Sequence, residues 1–203
     1  MLENLWIKSL SIESYKWYND TMSKNASRAD NQQERLRIEG WITGFTDGEG
    51  CFTISIIKNQ SAKNKLSWQV FPEFVVTQSE SSIQSLELVN KYFQCGYINR
   101  NKRRDGRKED LLKYCVRSLN DLHNKIIPFF DRNKLQTYKK NDFQVFKKVI
   151  DYMLKGKHLK KNGLIKVIKF MSQMNSRKKN PKFLKSSETI RQILALNERN
   201  GKI

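Results

Sequence analysis

The sequence predicts an α+β fold in which one antiparallel sheet carries helices on one face and leaves its other face open. Two hydrophobic periods support this prediction. Apolar residues recur at helical spacing in some stretches and at every second position in others, in the order helix, two strands, helix, two strands and further helices. With 203 residues and 38% hydrophobic content, the chain is long enough to bury a sizeable core.

Residues 1–30 are interpreted as an N-terminal extension with a short helix at 12–22, and residues 31–203 as a single domain. The first helix of that domain is predicted to begin with Asp30 as its N-cap. Gln33 stands three positions later, as the amide of a capping box does. This helix should run directly into the first pair of strands.

Alternating apolar residues predict a first strand from Cys51 and a second strand over 68–77, joined by a polar loop over 58–65 into a long hairpin. The remaining chain repeats the pattern of helix and hairpin before it becomes helical. The later elements are a helix over 81–93 with Ser79 or Ser81 as its cap and Gly96 at its end, strands over 97–101 and 111–118, and helices over 120–128, 137–154, 162–174 and 187–196.

The composition predicts a polyanionic partner. Lys and Arg number 39 against 20 Asp and Glu, and the formal net charge of +19 is typical of proteins that contact phosphate backbones. A basic ribosomal or linker-like protein has the same charge. No apolar run approaches the roughly 18 residues of a membrane span, so nucleic acid is favoured over a membrane. Three cysteines without CxxC spacing favour a reducing intracellular compartment, either a bacterial cytoplasm or an organelle such as a mitochondrion or plastid.

Residues 41–52, Trp-Ile-Thr-Gly-Phe-Thr-Asp-Gly-Glu-Gly-Cys-Phe, are the most informative segment. Gly44 and Gly48 stand four apart and share one helical face, where a second helix can approach closely. Asp47 and Glu49 fall at the predicted C-terminus of the same helix, where the macrodipole disfavours carboxylates. Acids in this place indicate a compensating cation, for which a divalent metal is the candidate. The alternative is an ordinary turn after the helix.

From Ile42 to Cys51 the segment resembles, without a gap, the signature of the LAGLIDADG homing endonucleases. The resemblance extends over about 35–200 and implies that family's fold, an αββαββα core with a DNA-binding antiparallel sheet, plus C-terminal helices. It also implies a site-specific double-strand DNA endonuclease in which Glu49 and the carbonyl of Gly48 hold magnesium, Mg²⁺. Only one signature is present, which implies a homodimer through the helix of Gly44 and Gly48 and a pseudo-palindromic target.

The end of the second strand, Val75-Val76-Thr77-Gln78, resembles the family's strand end whose glutamine stands beside the scissile phosphate. The resemblance therefore implies a catalytic role for Gln78. The family often places a basic residue about one turn later. This chain has Ser82 there, so that part of the site is altered or supplied from elsewhere.

A third stretch, over 128–149, resembles the family segment whose lysine orients the hydrolytic water. A gapless match puts this role at Tyr138 or Lys139, depending on the anchor. Lys139 is the catalytic residue that we choose, with Lys140 as the second choice. Its ammonium group would supply positive charge at the transition state.

The exposed side of the two hairpins is predicted to form a polar ribbon that enters a major groove, although a solvated sheet face is the alternative. Arg and Lys can read guanine, Asn and Gln adenine, and Glu can accept a hydrogen bond from cytosine. Residues 186–191 resemble a family segment that holds the DNA backbone. The predicted DNA-binding residues are Ser55, Asn59, Gln69, Glu73, Tyr97, Asn99, Asn101, Lys102, Arg103, Arg104, Lys113, Arg117, Ser187 and Thr189.

Two other functions fit the same basic surface and the same family resemblance. One is an intron RNA maturase that assists splicing, and the other is a catalytically inactive DNA-binding protein. The acids Asp47 and Glu49 favour the endonuclease, because a splicing cofactor has no need of a metal site.

Overall fold

A computed structural model describes residues 28–59, 67–101 and 109–174 of the chain, and the structural statements that follow concern these residues. The chain divides into two compact units, Met1–Ile42 and Thr43–Ile203. Several predictions lie outside the described residues: the helices over 12–22 and 187–196, and the DNA-binding residues Lys102, Arg103, Arg104, Ser187 and Thr189.

Helix α1 spans Arg28–Glu49. It is already helical two residues before Asp30, so the prediction of Asp30 as N-cap is wrong; Arg and Ala are good helix formers and extend the helix past a weak capping signal. In the first unit, Arg37 donates to the carboxylate of Glu34 through Nε at 2.7 Å and Nη2 at 2.6 Å. Such pairs three residues apart stabilise a helix.

A sharp turn joins α1 to the first strand at Gly50. A Cβ atom at this position would lie 2.5 Å from Cγ2 and 2.8 Å from the carbonyl oxygen of Thr46. Only glycine lets the chain leave the helix so abruptly. The acidic end of α1 therefore lies directly beside the start of the sheet.

Four strands form one antiparallel sheet in the described part of the chain, in the order β1-β2-β4-β3. The strands are β1 at Gly50–Lys58, β2 at Trp68–Ser79, β3 at Tyr97–Asn101 and β4 at Leu111–Val116. Their register pairs Gly50 with Val76 between β1 and β2, and Thr77 with Lys113 between β2 and β4. Both predicted hairpins are confirmed.

Helices cover one face of the sheet and follow the predicted order. Helix α2 spans Ile83–Phe93 and follows a 3-10 turn at Glu80–Ser82. The helical segment α3 consists of Leu119–Asp121, a π turn at Leu122–Ile126 and a last part at Ile127–Arg132. Helix α4 spans Lys139–Leu154, and a 3-10 turn at Lys157–Leu159 separates it from α5 at Lys161–Met171. No helix within the described ranges is long and apolar enough to cross a bilayer.

The boundaries of two helices differ from the prediction. Helix α2 ends at Phe93, and its C-cap is Gln94 in the left-handed conformation at φ 49°. Gly96, the predicted helix end, has a φ of 80° and lies just before β3. Segment α3 continues past Pro128 to Arg132. This proline directly follows the π turn, in which the N–H of Ile127 donates to the carbonyl of Leu122 five residues earlier.

The predicted serine cap of α2 is also wrong. Neither Ser79 nor Ser82 makes a side-chain capping bond at its helix start. The hydroxyls of Ser79 and Ser81 instead lie 2.9 Å apart, and Ser81 donates to Glu109 at 2.9 Å. A carboxylate from a distant loop therefore competes for the hydroxyl that the local sequence assigned to the cap.

The core consists of aromatic side chains between the covered face of the sheet and the helices. Phe52 of β1 lies against Phe74 of β2 with ring centroids 5.2 Å apart. Phe130 of α3 and Phe143 and Phe146 of α4 surround the same ring at 5.3–5.4 Å. Aromatic pairs at such distances contribute beyond the area they bury. The cluster holds α4 across β1, and this places the start of α4 near the end of α1.

Candidate active site

The carboxylate of Asp47, at the end of α1, binds the turn that leads into α4. Oδ2 accepts a hydrogen bond from the N–H of Gln136 at 2.7 Å. Oδ1 accepts two from Thr137, one from the N–H at 3.1 Å and one from the hydroxyl Oγ1 at 2.6 Å. Asp47 therefore serves as an acceptor for N–H groups just before a helix, where the dipole favours negative charge.

Lys139, the first residue of α4, binds in the opposite direction, from the start of α4 to the end of α1. Its ammonium Nζ donates to three carbonyl oxygens at the end of α1: Thr46 at 3.1 Å, Asp47 at 3.0 Å and Gly48 at 2.7 Å. The last carbonyls of a helix have no partner within the helix, and a cation satisfies them. The sequence predicted a compensating cation here with a divalent metal as the candidate, and the structure places the Lys139 ammonium at this point.

Asp47, Gln136, Thr137 and Lys139 form what we call the clasp. Partial burial alone would raise the pKa of Asp47, but the hydrogen bonds from Thr137 and Gln136 and the charge of Lys139 outweigh it and hold that pKa below its usual value. Asp47 is thus ionised at neutral pH, and both of its carboxylate oxygens accept hydrogen bonds from the protein. The sequence analysis did not identify Gln136 and Thr137 as partners of Asp47. The only local signal for them was a threonine near the start of a predicted helix.

Glu49 differs from Asp47 in its surroundings. Its side chain is exposed and makes no hydrogen bond or ion pair with the described residues. The described residues also contain no group of three or more His, Cys, Asp or Glu side chains that could hold a metal. One chain offers the Glu49 carboxylate beside the Gly48 carbonyl, two hard oxygen donors that fit Mg²⁺ chemically but leave its coordination incomplete.

Gln78 lies at the end of β2, close to the same corner of the fold. Val76 pairs with Gly50, so Gln78 lies two residues further along, about 7 Å beyond the start of β1. Ser82 lies in the 3-10 turn that follows. Arg100 of β3 forms an ion pair with Glu80 of this turn, so a basic side chain reaches the turn from another strand.

The open face of the sheet carries the predicted DNA-binding side chains. Residues that pair directly across antiparallel strands point to the same face, as Ile57 and Gln69 or Asn99 and Lys113 do. Asn59 donates from Nδ2 to Oε1 of Gln69 at 2.7 Å. By this register, Ser55, Gln69, Glu73, Tyr97, Asn99, Asn101 and Lys113 share the face, with Asn59 and Arg117 next to the ends of β1 and β4.

The open face is less polar than the sequence predicted. Ile57 is 47% exposed on it, and Phe71 is partly exposed opposite Ser55. The alternation of β1 and β2 already showed both residues on this side. Apolar contacts with thymine methyl groups are a second way to read bases, and such side chains suit them.

Asp47→Asn tests the clasp. The neutral amide accepts hydrogen bonds less well than the carboxylate, so we expect a lower melting temperature at pH 7. Because the folded-state pKa of Asp47 is depressed, its contribution is present above the unfolded value near 3.9 and is lost as pH falls through the folded value. The melting-temperature difference from wild type should therefore shrink below about pH 4. A difference that stays constant from pH 7 to pH 3 would contradict the assignment.

Residues 42–150, more than half of the chain, match the family model described as LAGLIDADG endonuclease. "Probable intron-encoded endonuclease 2" of Neurospora crassa is 32% identical over 136 residues, which are 66% of this chain and 28% of that protein. "DNA endonuclease I-CvuI" of Chlorella vulgaris is 30% identical over 122 residues, 59% of this chain and 69% of that protein. The chain spans only 25–40% of the length of the first three curated relatives it matches.

Solved structures show the same fold. The homing endonuclease I-TnaI superposes with a TM-score of 0.66 at 34% identity over 76% of this chain and 97% of that one. I-SmaMI bound to cleaved DNA superposes with a TM-score of 0.62 at 29% identity over 69% of this chain and 44% of that one. Because the family model covers more than half of the sequence, the chain belongs to the LAGLIDADG endonuclease family.

Proposed function

We propose that this protein is a site-specific endonuclease that hydrolyses phosphodiester bonds in double-stranded DNA. The observation that carries the proposal is the end of α1, where the exposed Glu49 carboxylate follows the carbonyl that receives the Lys139 ammonium at 2.7 Å. Phosphodiester hydrolysis needs neutralised phosphate charge and a positioned water, and both needs are met by such groups. Relatives named as DNA endonucleases support the proposal.

Glu49 would hold Mg²⁺ together with the Gly48 carbonyl, which accepts from Lys139 with one lone pair and would offer its other lone pair to the ion. When bound, the ion supplies Lewis acidity at the phosphate. Lys139 would place positive charge where negative charge develops on the phosphate in the transition state, and three hydrogen bonds to carbonyl oxygens fix the position of its ammonium group. Gln78, at the strand end beside the same corner, would orient the water or a phosphate oxygen through its amide. The open sheet face would read the target in the major groove.

A homodimer is the assembly that we propose. Gly44 and Gly48 are exposed, and a Cβ atom added at either would meet nothing within 4 Å, so this face of α1 has room for a second helix. A single chain also offers one Glu49 and therefore an incomplete metal site, which a second copy would complete. Two-fold symmetry then predicts a pseudo-palindromic target with one half-site per subunit.

We further propose that the protein acts inside the cell on the genome that carries its reading frame. Several relatives are described as intron-encoded endonucleases. No disulfide joins Cys51, Cys95 and Cys115 in the described residues, as is usual in a reducing compartment. The net charge of +19 suits a DNA partner in either a bacterial cytoplasm or an organelle.

Glu49→Gln tests the metal site. The amide keeps the shape of the side chain but removes the charge that would hold Mg²⁺, so cleavage of the target should fall below detection while binding remains. The two readouts are cleavage with Mg²⁺ and gel-shift affinity in its absence. Asp151→Asn, near the other end of α4, is the matched control and should cleave like wild type. Undiminished cleavage by Glu49→Gln would overturn the assigned mechanism.

Lys139→Met tests the choice of lysine. Methionine keeps the length of the side chain and removes its charge, so we expect the cleavage rate to fall by about 10²–10³. Lys140→Met is the control, because Lys140 is exposed and neighbours the same helix start. Single-turnover rates with equal occupancy of the DNA separate this effect from binding. If Lys140→Met is the slower variant, the assignment of Lys139 is wrong.

Gly44→Leu tests the dimer. A leucine would place a bulky side chain where two helix backbones approach, so the subunits should separate and specific cleavage should disappear with the dimer. Gln144→Leu puts the same side chain on an exposed position of α4 and should remain dimeric. Sedimentation with and without DNA is the measurement. A wild-type protein that sediments as a monomer on its DNA would refute the homodimer.

A further inference from the structure

The middle of the open sheet face carries a group of charged residues centred on the carboxylate of Glu73. Arg117 donates to Oε1 of Glu73 through Nε. The thiol of Cys115 donates to the same oxygen at 3.3 Å, and Nζ of Lys113 lies 3.7 Å from it. We call Glu73, Lys113, Cys115 and Arg117 the Glu73 cluster.

The members of the Glu73 cluster differ in how far they reach into solvent. The side chain of Glu73 is only 15% exposed, whereas that of Lys113 is 30% and that of Arg117 is 51% exposed. Burial alone would raise the pKa of Glu73, but the hydrogen bonds from Arg117 and Cys115 and the nearby charges outweigh it and lower that pKa. Glu73 is therefore an ionised anchor beneath the surface, and the arginine is the part that a ligand meets first.

The way in which Arg117 is held determines what it can offer. Glu73 receives the Nε–H, which leaves the two outer nitrogens of the guanidinium for another partner. The other restraint comes from Tyr97, whose ring centroid lies 5.9 Å from Cζ of Arg117. A guanidinium that is restrained by both a carboxylate and a ring loses little further freedom when it binds.

Two parallel N–H groups match O6 and N7 of guanine in the major groove, and this is the commonest specific contact between a protein and a base. We propose that Arg117 reads a guanine in each half-site of the target, and that Glu73 is a positioning residue that acts through Arg117. The inference rests on the proposed DNA cleavage function. It differs from the simple pairing of Glu with cytosine, because the Glu73 oxygen that faces its neighbours already accepts from protein donors.

Glu73 also has a second effect, of opposite sign. The Glu73 carboxylate cancels part of the positive charge of Lys113 and Arg117 and repels phosphates, so it lowers affinity for DNA of any sequence. Sequences that supply the guanine recover the loss through the oriented arginine, and sequences without it do not. Removing the charge should therefore raise affinity for random DNA while it lowers discrimination.

The test is a binding selection from a duplex DNA library with a random segment of 24 base pairs, in buffer without divalent metal, followed by sequencing. The full chain is compared with Glu73→Gln, Arg117→Ala and Arg117→Lys. Asp151→Asn is the control, since it also removes one carboxylate charge but lies on α4, outside the Glu73 cluster and the open face. Binding of each protein to the unselected library is measured in parallel.

We expect wild type to select a motif with one guanine per half-site. In Arg117→Ala, the preference for this guanine over the other bases should fall by roughly 10- to 100-fold. Arg117→Lys should keep affinity for the unselected library but lose the guanine, because an ammonium lacks the two parallel donors. Glu73→Gln should weaken the preference for guanine at the same base position. It should also bind the unselected library a few-fold more tightly, because one negative charge is lost. Asp151→Asn should keep the guanine.

Three outcomes would overturn the inference. Glu73→Gln and Arg117→Ala could change different positions of the motif, or neither variant could change the motif, or Glu73→Gln could bind the unselected library less tightly. In each of these cases a motif selected by wild type would still support the proposed DNA-binding function. If wild type selects no sequence at all, both the inference and the proposed function are wrong.

Discussion

The contact between the end of α1 and the start of α4 determines the geometry of the candidate active site. Lys139 gives its ammonium to three carbonyls that a helix end leaves without partners, and Asp47 gives its carboxylate to amides before the next helix. Each helix end thereby meets the charge that opposes its dipole. The two interactions support one another, and together they hold Lys139 beside Gly48 and leave Glu49 exposed.

Packing within the aromatic core makes this contact possible. Phe143 and Phe146 lie against Phe52, so α4 crosses β1 at a fixed position and its first residue meets the end of α1. The same strand has a second role. Because successive side chains of a strand point to opposite faces, a strand that buries Phe52 presents Ser55 on the open side. One set of strands therefore supports both the candidate site and the open face that we propose contacts DNA.

Carboxylates in this basic chain orient cations and amide donors. Asp47 holds the turn before Lys139, and Glu73 holds Arg117. In both, hydrogen bonds to the ionised form outweigh the effect of burial on the pKa. An acid that orients a neighbour reduces the entropy lost on binding, whereas the exposed Glu49 has no such partner among the described residues and remains available for a ligand.

The local sequence determined the order of the elements, both hairpins and the segment that carries Gly48 and Glu49, because hydrophobic period and the spacing of glycines and acids are properties of neighbouring residues. It failed at Gln94 and Ser81, where a left-handed residue and a loop carboxylate replaced the expected helix signals. The partners of Asp47 lie 89 and 90 residues away, and Glu73 meets Arg117 across a strand pair. Only tertiary packing decides such contacts, because no local preference specifies which distant donor reaches a given carboxylate.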